Sequence, residues 1–323
     1  MMSLQKTDRF MKGKEKKMDR KIILIVAAIC FLPGFGACSR ENPAASSQSA
    51  PPGTQFSGEL TGSITLKGSD TMVNLGQAWA EEFMKRHPKV NAAVTGGGSG
   101  TGIAALINGT CNIAQSSRPM EEKEKDNLKR QRKEAVEFRV GMDAISVVVN
   151  PSNPADRMTI DQLSGIFTGN IKNWKEVGGE DKEIIVLSRE RNSGTHVFFL
   201  EHVVRKGKAK GPEEYAPTVL MMPSTQAICD EVTANKYAIG YIGLGYLTPK
   251  QKALAVAQKP DGEYVKPSVE SAISGKYPVS RFLYMYTAGQ PQGVAKEFID
   301  FCLSKDGQEI VGKMDFVPLK EAK

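Results

Sequence analysis

VNAAVTGGGSGTGIAALING, residues 90–109, opens as a short apolar strand, loses every bulky side chain across 95–102, and resumes with helical spacing. A strand that runs through a bare turn into a helix is the repeating unit of an open α/β sheet. Glycine lets another group approach the backbone closely. The N–H groups that open a helix lack partners and carry partial positive charge. An oxyanion resting on this backbone is the reading that follows. Neither G-x-x-x-x-G-K-[ST] nor G-x-G-x-x-G fits at any register, so phosphate-loop and dinucleotide readings fail.

The same alternation extends on both sides. SITLKGS (63–69), CNIAQSS (111–117), AISVVVNP (144–151), EIIVLSRE (183–190) and the glycine-broken YAIGYIGLGYL (237–247) read as strands. MVNLGQAWAEEFMKRH (72–87) places Leu75, Trp79 and Phe83 on one helical face. TIDQLSGIFTG (159–169) is a helix capped by Thr159, GTHVFFLEHVV (194–204) another, and residues 296–314 a closing pair. Residues 120–134 form a charged helix with a solvated face. The pattern predicts an α/β fold on a mostly parallel sheet.

Of the 323 residues, 40% are hydrophobic and 24% charged, enough for a substantial core. The net charge is +7, but residues 1–37 hold eight Lys/Arg against three Asp/Glu, leaving about +2 for the rest. That balance argues against a nucleic-acid face. KGKEKKMDRK (12–21), IILIVAAICFL (22–32) and GFGAC (34–38) have the order of an export signal. The apolar run is too short for a comfortable span. Residues 1–37 are therefore expected to be a signal peptide and Cys38 the lipidated first residue, although Phe35 stands where that pattern prefers leucine. Residues 38–62, rich in Ser, Pro, Gly and Ala, read as a lipid-anchored flexible linker. Cys111, Cys229 and Cys302 show no metal spacing; an oxidising compartment would allow one disulfide among them, but free buried thiols are expected. No cofactor or metal is implied.

Four loops share one chemistry: GSDTM (68–72), GGGSGTG (96–102), QSSR (115–118) and SRERNSGTH (188–196). Each supplies hydroxyls beside a helix start, and two add arginine. Alone, each reads as ordinary capping. Together they would surround one small tetrahedral anion with donors.

These loops, with IFTGNIKNWKEVGG (166–179), resemble the substrate-binding proteins of bacterial phosphate-specific ABC importers, from about residue 63 to the end. The resemblance implies a two-lobed periplasmic-binding-protein-like α/β fold of type II. Two crossing strands form its hinge, and the ligand lies in the interlobe cleft. Crossings near Val148 and Ala238 would make residues 63–147 plus 239–323 one lobe and 148–238 the other. Carried over residue by residue, the expected phosphate site has Thr71, Met72 (through its N–H), Ser99, Arg189, Ser193, Gly194 and Thr195, to which Ser117 and Arg118 at the third strand end and Asp70 in the first loop are added as candidates. Ser117 stands where the best-known branch has an aspartate that accepts the ligand's proton. Asp70 is then the nearest replacement acceptor and Asp143 the second; Asp70 also reads as a helix cap.

The implied function is capture of inorganic phosphate outside the cytoplasm for membrane permease subunits, by an exported, lipid-anchored monomer. That role involves no catalysis and no nucleic acid. Three alternatives remain: a binder of sulfate or molybdate; a sensing or adhesive surface lipoprotein; and a serine hydrolase. The last would pair Ser193 with His196, three residues on, but lacks G-x-S-x-G and an evident carboxylate.

Overall fold

The computed structural model describes residues 59–319. The expected signal peptide, Cys38 and most of the tether lie outside the described residues. β1 (Gly62–Gly68) leads through a 3-10 turn, Asp70–Met72, into α1 (Val73–Arg86). β2 (Val90–Thr95) and α2 (Ser99–Ile107) follow, then β3 (Ile113–Ser116) and α3 (Glu122–Arg130). β1 pairs in parallel with both β2 and β3, so the three strands end at one edge, where α1 and α2 begin. Leu75, Trp79 and Phe83 of α1 are buried in this lobe's core, as their spacing predicts.

β4 (Ala135–Val149) is the strand on which the architecture turns. Up to Ala144 it pairs with the later strand from Ser280 to Ala288, and from Ile145 it pairs with Ala238–Gly243. One extended segment thus serves two cores in succession.

The second core continues with β5 (Arg157–Thr159) and α4 (Ile160–Phe167), whose N-terminus Thr159 caps by accepting from the Gln162 N–H. β6 (Ile185–Arg189) enters α5 (Gly194–Phe199), which runs on as a π-helical turn, Leu200–Val204. β7 (Leu220–Met222), α6 (Thr225–Ala234) and β8 (Ala238–Gly243) come next. β9 (Lys252–Ala253), β10 (Ala255–Ala257) and α7 (Val269–Ile273) complete the lobe. β11 (Ser280–Ala288), α8 (Gly293–Leu303) and α9 (Lys305–Lys313) return to the first lobe.

The main sheet runs β2-β1-β3-β11-β4-β8-β6-β7, with β9 on β4. Its flanks are parallel, as expected, but its centre is antiparallel, because β4 and β11 carry the chain out and back. The return crossing falls at Val279–Ser280, not near Ala238. Ile239, Tyr241, Leu254, Val256, Ala272, Tyr277 and Val279 all pack in the second core with Phe167, Trp174 and Phe199. Residues 239–279 therefore belong with the second lobe, a correction to the expected boundary. The physical cause is pairing: β8 is hydrogen-bonded to β6 and to the later half of β4, and β10 to β5, all second-lobe strands. Cys111, Cys229 and Cys302 are buried free thiols.

Candidate functional site

Hydroxyls from both lobes meet where the strand edges face each other. Thr71 Oγ1, beside the start of α1, lies 2.9 Å from Thr195 Oγ1 in the first turn of α5. Ser69 Oγ donates to Ser117 Oγ at 2.9 Å, and Ser117 Oγ lies 3.3 Å from Ser99 Oγ. The Ser117 N–H donates to Ser99 Oγ at 3.1 Å. All five side chains are buried. Gly194 closes the ring. A Cβ there would stand 2.4 Å from Ser99 Oγ and 2.7 Å from Ser117 Oγ, so a side chain would separate the lobes. Ser193 Oγ caps α5 by accepting from the Thr195 and His196 N–H groups.

Behind the hydroxyls stands a cation that the loop motifs did not reveal. Arg281 of β11 faces Asp143 of β4 across the hinge, directly opposite in register. Its Nε and Nη2 donate to Asp143 Oδ2 at 3.2 and 2.8 Å, and its Nη1 to the Ser117 carbonyl at 3.0 Å. Nη2 also reaches Thr195 Oγ1 at 3.0 Å and Thr71 Oγ1 at 3.3 Å. Burial pulls the Arg281 guanidinium below its ordinary value, and the Asp143 carboxylate opposes that shift. Asp143 Oδ1 accepts the Leu244 N–H at 3.0 Å.

A second ion pair crosses the lobes. Arg189 Nη2 donates to Asp70 Oδ2 at 2.6 Å, and Asp70 Oδ1 accepts the Gly97 N–H at 3.0 Å. Asp70 therefore does not cap its helix: its carboxylate joins two loops. Nη2 also donates to the Pro223 carbonyl at 3.0 Å, while Nη1 donates to Thr225 Oγ1 at 2.9 Å and Nε to the Met222 carbonyl at 3.2 Å. Arg189, expected at the anion, is thus engaged as an interlobe clasp. Its strand is braced from behind by Ser188 Oγ and Tyr241 OH, 2.6 Å apart.

The glycine-rich loop also meets the second lobe. Asn192 of the second lobe lies against it: its carbonyl accepts the Gly100 N–H at 2.9 Å and its Nδ2 donates to the Gly97 carbonyl at 2.9 Å. Gly98 has φ of 90°, and a Cβ there would meet the Asn192 carbonyl oxygen at 2.7 Å. What approaches the bare backbone here is the opposite lobe, and Ser99 is the residue of that loop that reaches the hydroxyl ring.

Two further expected residues have partners within the protein. The Met72 N–H donates to the Ser69 carbonyl at 3.0 Å, closing the 3-10 turn. Arg118 spends its guanidinium on Glu124, at 2.8 and 2.7 Å, and on the Pro119 carbonyl at 2.9 Å. Glu124 belongs to the helix read as a solvated face. The structure thus brings together Thr71, Ser99, Ser117, Ser193, Gly194 and Thr195, flanks them with Asp70 and Arg189, and adds Ser69, Asp143, Asn192 and Arg281.

The hydrolase geometry is not formed. His196 Nδ1 lies 2.8 Å from the Arg189 carbonyl and 3.3 Å from Ser188 Oγ, while Ser193 Oγ meets backbone N–H groups. Burial lowers the His196 imidazole to about 4, so it is neutral at physiological pH. No group of three or more metal-ligating side chains occurs among the described residues.

A family profile described as a PBP superfamily domain matches residues 45–306. The phosphate-binding protein PstS of Bacillus subtilis is 33% identical over 306 residues, covering 94% of this chain and 95% of its own. PstS of Pseudomonas aeruginosa is 31% identical over 319 residues, covering 93% and 95%. Among solved structures, a phosphate ABC transporter substrate-binding protein with bound phosphate from Clostridium perfringens, titled as putative, superposes with a TM-score of 0.72. It is 30% identical, over 80% of this chain and all of that one. Two lobes joined by crossing strands, a donor-lined seam between them and relatives of near-equal length agree: the chain belongs to the periplasmic-binding-protein (PBP) superfamily, among the relatives of PstS.

Proposed function

We propose that the protein captures inorganic phosphate outside the cytoplasm and delivers it to the permease of an ABC importer, by closing its two lobes on the anion. The observation that carries this reading is the buried meeting of Thr71, Ser99, Ser117 and Thr195 hydroxyls from opposite lobes. Such donors bind an oxyanion only when the lobes are together, so ligand and closure favour each other. Hydrogen-bond acceptance supports phosphate over sulfate. Arg189 and Arg281 are each balanced by a carboxylate, Asp70 and Asp143, so the seam carries no net charge from these four. A carboxylate oxygen has a second lone pair that can accept the proton phosphate carries and sulfate lacks. The role needs no covalent chemistry, and the protein acts as a binder and not as an enzyme.

The export signal at 1–37 and the cysteine at position 38 support an exported protein tethered by lipid, acting as a monomer. Calorimetric titration with phosphate, sulfate and molybdate tests the ligand. Saturable phosphate binding with sulfate and molybdate at least a hundredfold weaker is the expected result. Preference for either competitor would transfer the function to another oxyanion.

A further inference from the structure

The ring of hydroxyls poses a problem of polarity. A hydroxyl has one hydrogen and two acceptor sites, and rotates to suit its neighbours. Nothing in a threonine alone makes it a donor toward an anion. The structure supplies the missing constraint at Arg281. A guanidinium only donates, and Arg281 Nη2 lies 3.0 Å from Thr195 Oγ1 and 3.3 Å from Thr71 Oγ1. Nη2 has two hydrogens for three acceptors, so the two threonine oxygens share the one not spent on Asp143 Oδ2, and an oxygen that accepts from it turns its own hydrogen away. The two ends of the interaction sit on different lobes, while Arg281 sits on the hinge strand β11, opposite Asp143 on the hinge strand β4. Its Nε and Nη2 on Asp143 and its Nη1 on the Ser117 carbonyl fix the plane of the guanidinium. A rigid cation at the pivot can therefore meet both threonines only when the lobes are closed.

We propose that Arg281 is a positioning residue for the anion: held by Asp143, it orients the Thr71 and Thr195 hydroxyls as donors into the cleft and does so only in the closed form. The proposal rests on the phosphate reading given above. It assigns Asp143 to the fixing of Arg281, as Asp70 is tied to Arg189 and the Gly97 N–H.

Removing Arg281 alone would strand a buried carboxylate and endanger the fold. The test is therefore a double-mutant cycle in the full chain, with inorganic phosphate as the titrant. Thr71→Val is measured in the native protein and in an Asp143→Asn/Arg281→Gln background, with circular dichroism to verify folding. In the native protein Thr71→Val is expected to weaken phosphate at least tenfold. The background itself should bind measurably, ten- to a hundredfold more weakly. In that background Thr71→Val should cost less than threefold, because the hydroxyl is no longer held as a donor. Equal factors in the two backgrounds would overturn the proposal. A folded background with no measurable binding would also overturn it, by making Arg281 a direct ligand. Should the double variant not fold, the same cycle is run on Arg281→Lys, which keeps a charge against Asp143. Failure of the native protein to bind phosphate at all would refute the proposed function instead, so the two failures are distinct.

Discussion

Thr71 Oγ1 and Thr195 Oγ1, 124 residues apart in the chain and on opposite lobes, lie 2.9 Å from each other, buried between the lobes. A contact of that kind between two hydroxyl groups exists only when the lobes are closed. If these hydroxyls hold phosphate, each supplies a hydrogen bond to a charged oxygen. Such bonds contribute about 1.5–3 kcal/mol each, or roughly ten- to a hundredfold in affinity. Thr71→Val and Thr195→Val should each weaken phosphate by that factor in calorimetry. Valine keeps the branched shape, so the unfolding midpoint without phosphate should stay near the native value. A shift confined to stability, with affinity intact, would remove both from the site.

The Asp70–Arg189 pair makes a separate prediction, because it joins the lobes without being part of the hydroxyl ring. Its arginine is buried and its carboxylate nearly so. Asp70→Ala leaves Arg189 with the Thr225, Met222 and Pro223 acceptors, all within its own lobe. The loss therefore falls on closure more than on folding. Removing one partner of a buried pair costs roughly 3–5 kcal/mol. Phosphate affinity should fall by at least two orders of magnitude. Small-angle scattering of the phosphate-saturated variant should give a larger radius of gyration than the native complex. Native affinity in Asp70→Ala would show the clasp to be dispensable.

Gly98 separates the two readings of the glycine-rich loop. With φ at 90° and ψ at 152° it occupies a region essentially closed to other residues, and a Cβ there would meet the Asn192 carbonyl oxygen at 2.7 Å. Gly98→Ala should weaken phosphate more than tenfold by obstructing the approach of the second lobe. Asn192→Ala removes Nδ2 contacts to the Gly97 carbonyl and Thr101 Oγ1, but keeps the Asn192 carbonyl that accepts from Gly100. It should therefore cost less, about threefold. If Asn192→Ala were the more harmful, the side chain and not the close backbone approach would govern the contact.

The strand-to-helix loops were legible because their chemistry is local. A short apolar strand, then Gly, Ser or Thr, then helical spacing announces each one, and Thr71, Ser99, Ser193 and Thr195 fall where those patterns place them. The hinge was not legible, and one omission explains most of the rest. SRFLYMYTA, residues 280–288, is a strand with the aromatic and apolar composition of one, yet it passes without notice beside the glycine-rich motifs. Without β11 the expected return crossing falls at β8, and 239–279 with the first lobe. Arg281 was lost with it. The available signal was a single arginine at the start of an otherwise apolar strand, a cation that has to find a buried partner. Arg118 failed in the opposite direction. Its serine-rich neighbourhood suggested an anion, while its actual partner, Glu124, sits six residues on in a helix whose charges looked solvent-facing. Sequence gives the residue types at a loop, whereas the partner of a charged side chain depends on distances that only folding sets.

His196 provides the pH prediction. Its imidazole is buried behind the Arg189 loop, with Nδ1 at the Arg189 carbonyl, and burial lowers it to about 4. In the unfolded chain a histidine titrates near 6.5. Between those values the unfolded state takes up a proton that the folded state refuses, so stability rises with pH across the window. As pH falls from above 6.5 toward 4, the protein should lose up to about 3 kcal/mol from this residue alone, and below 4 the contribution should level off. Denaturant unfolding at pH 7.5, 5.5 and 4.5 reads the slope. His196→Asn removes the titrating group while retaining a polar side chain near the same carbonyl. It should be less stable than the native protein at pH 7.5 and should show a shallower decline toward pH 4.5. Parallel slopes in the two proteins would mean that other groups carry the acid sensitivity and that the imidazole titrates in the fold as it does in the unfolded chain.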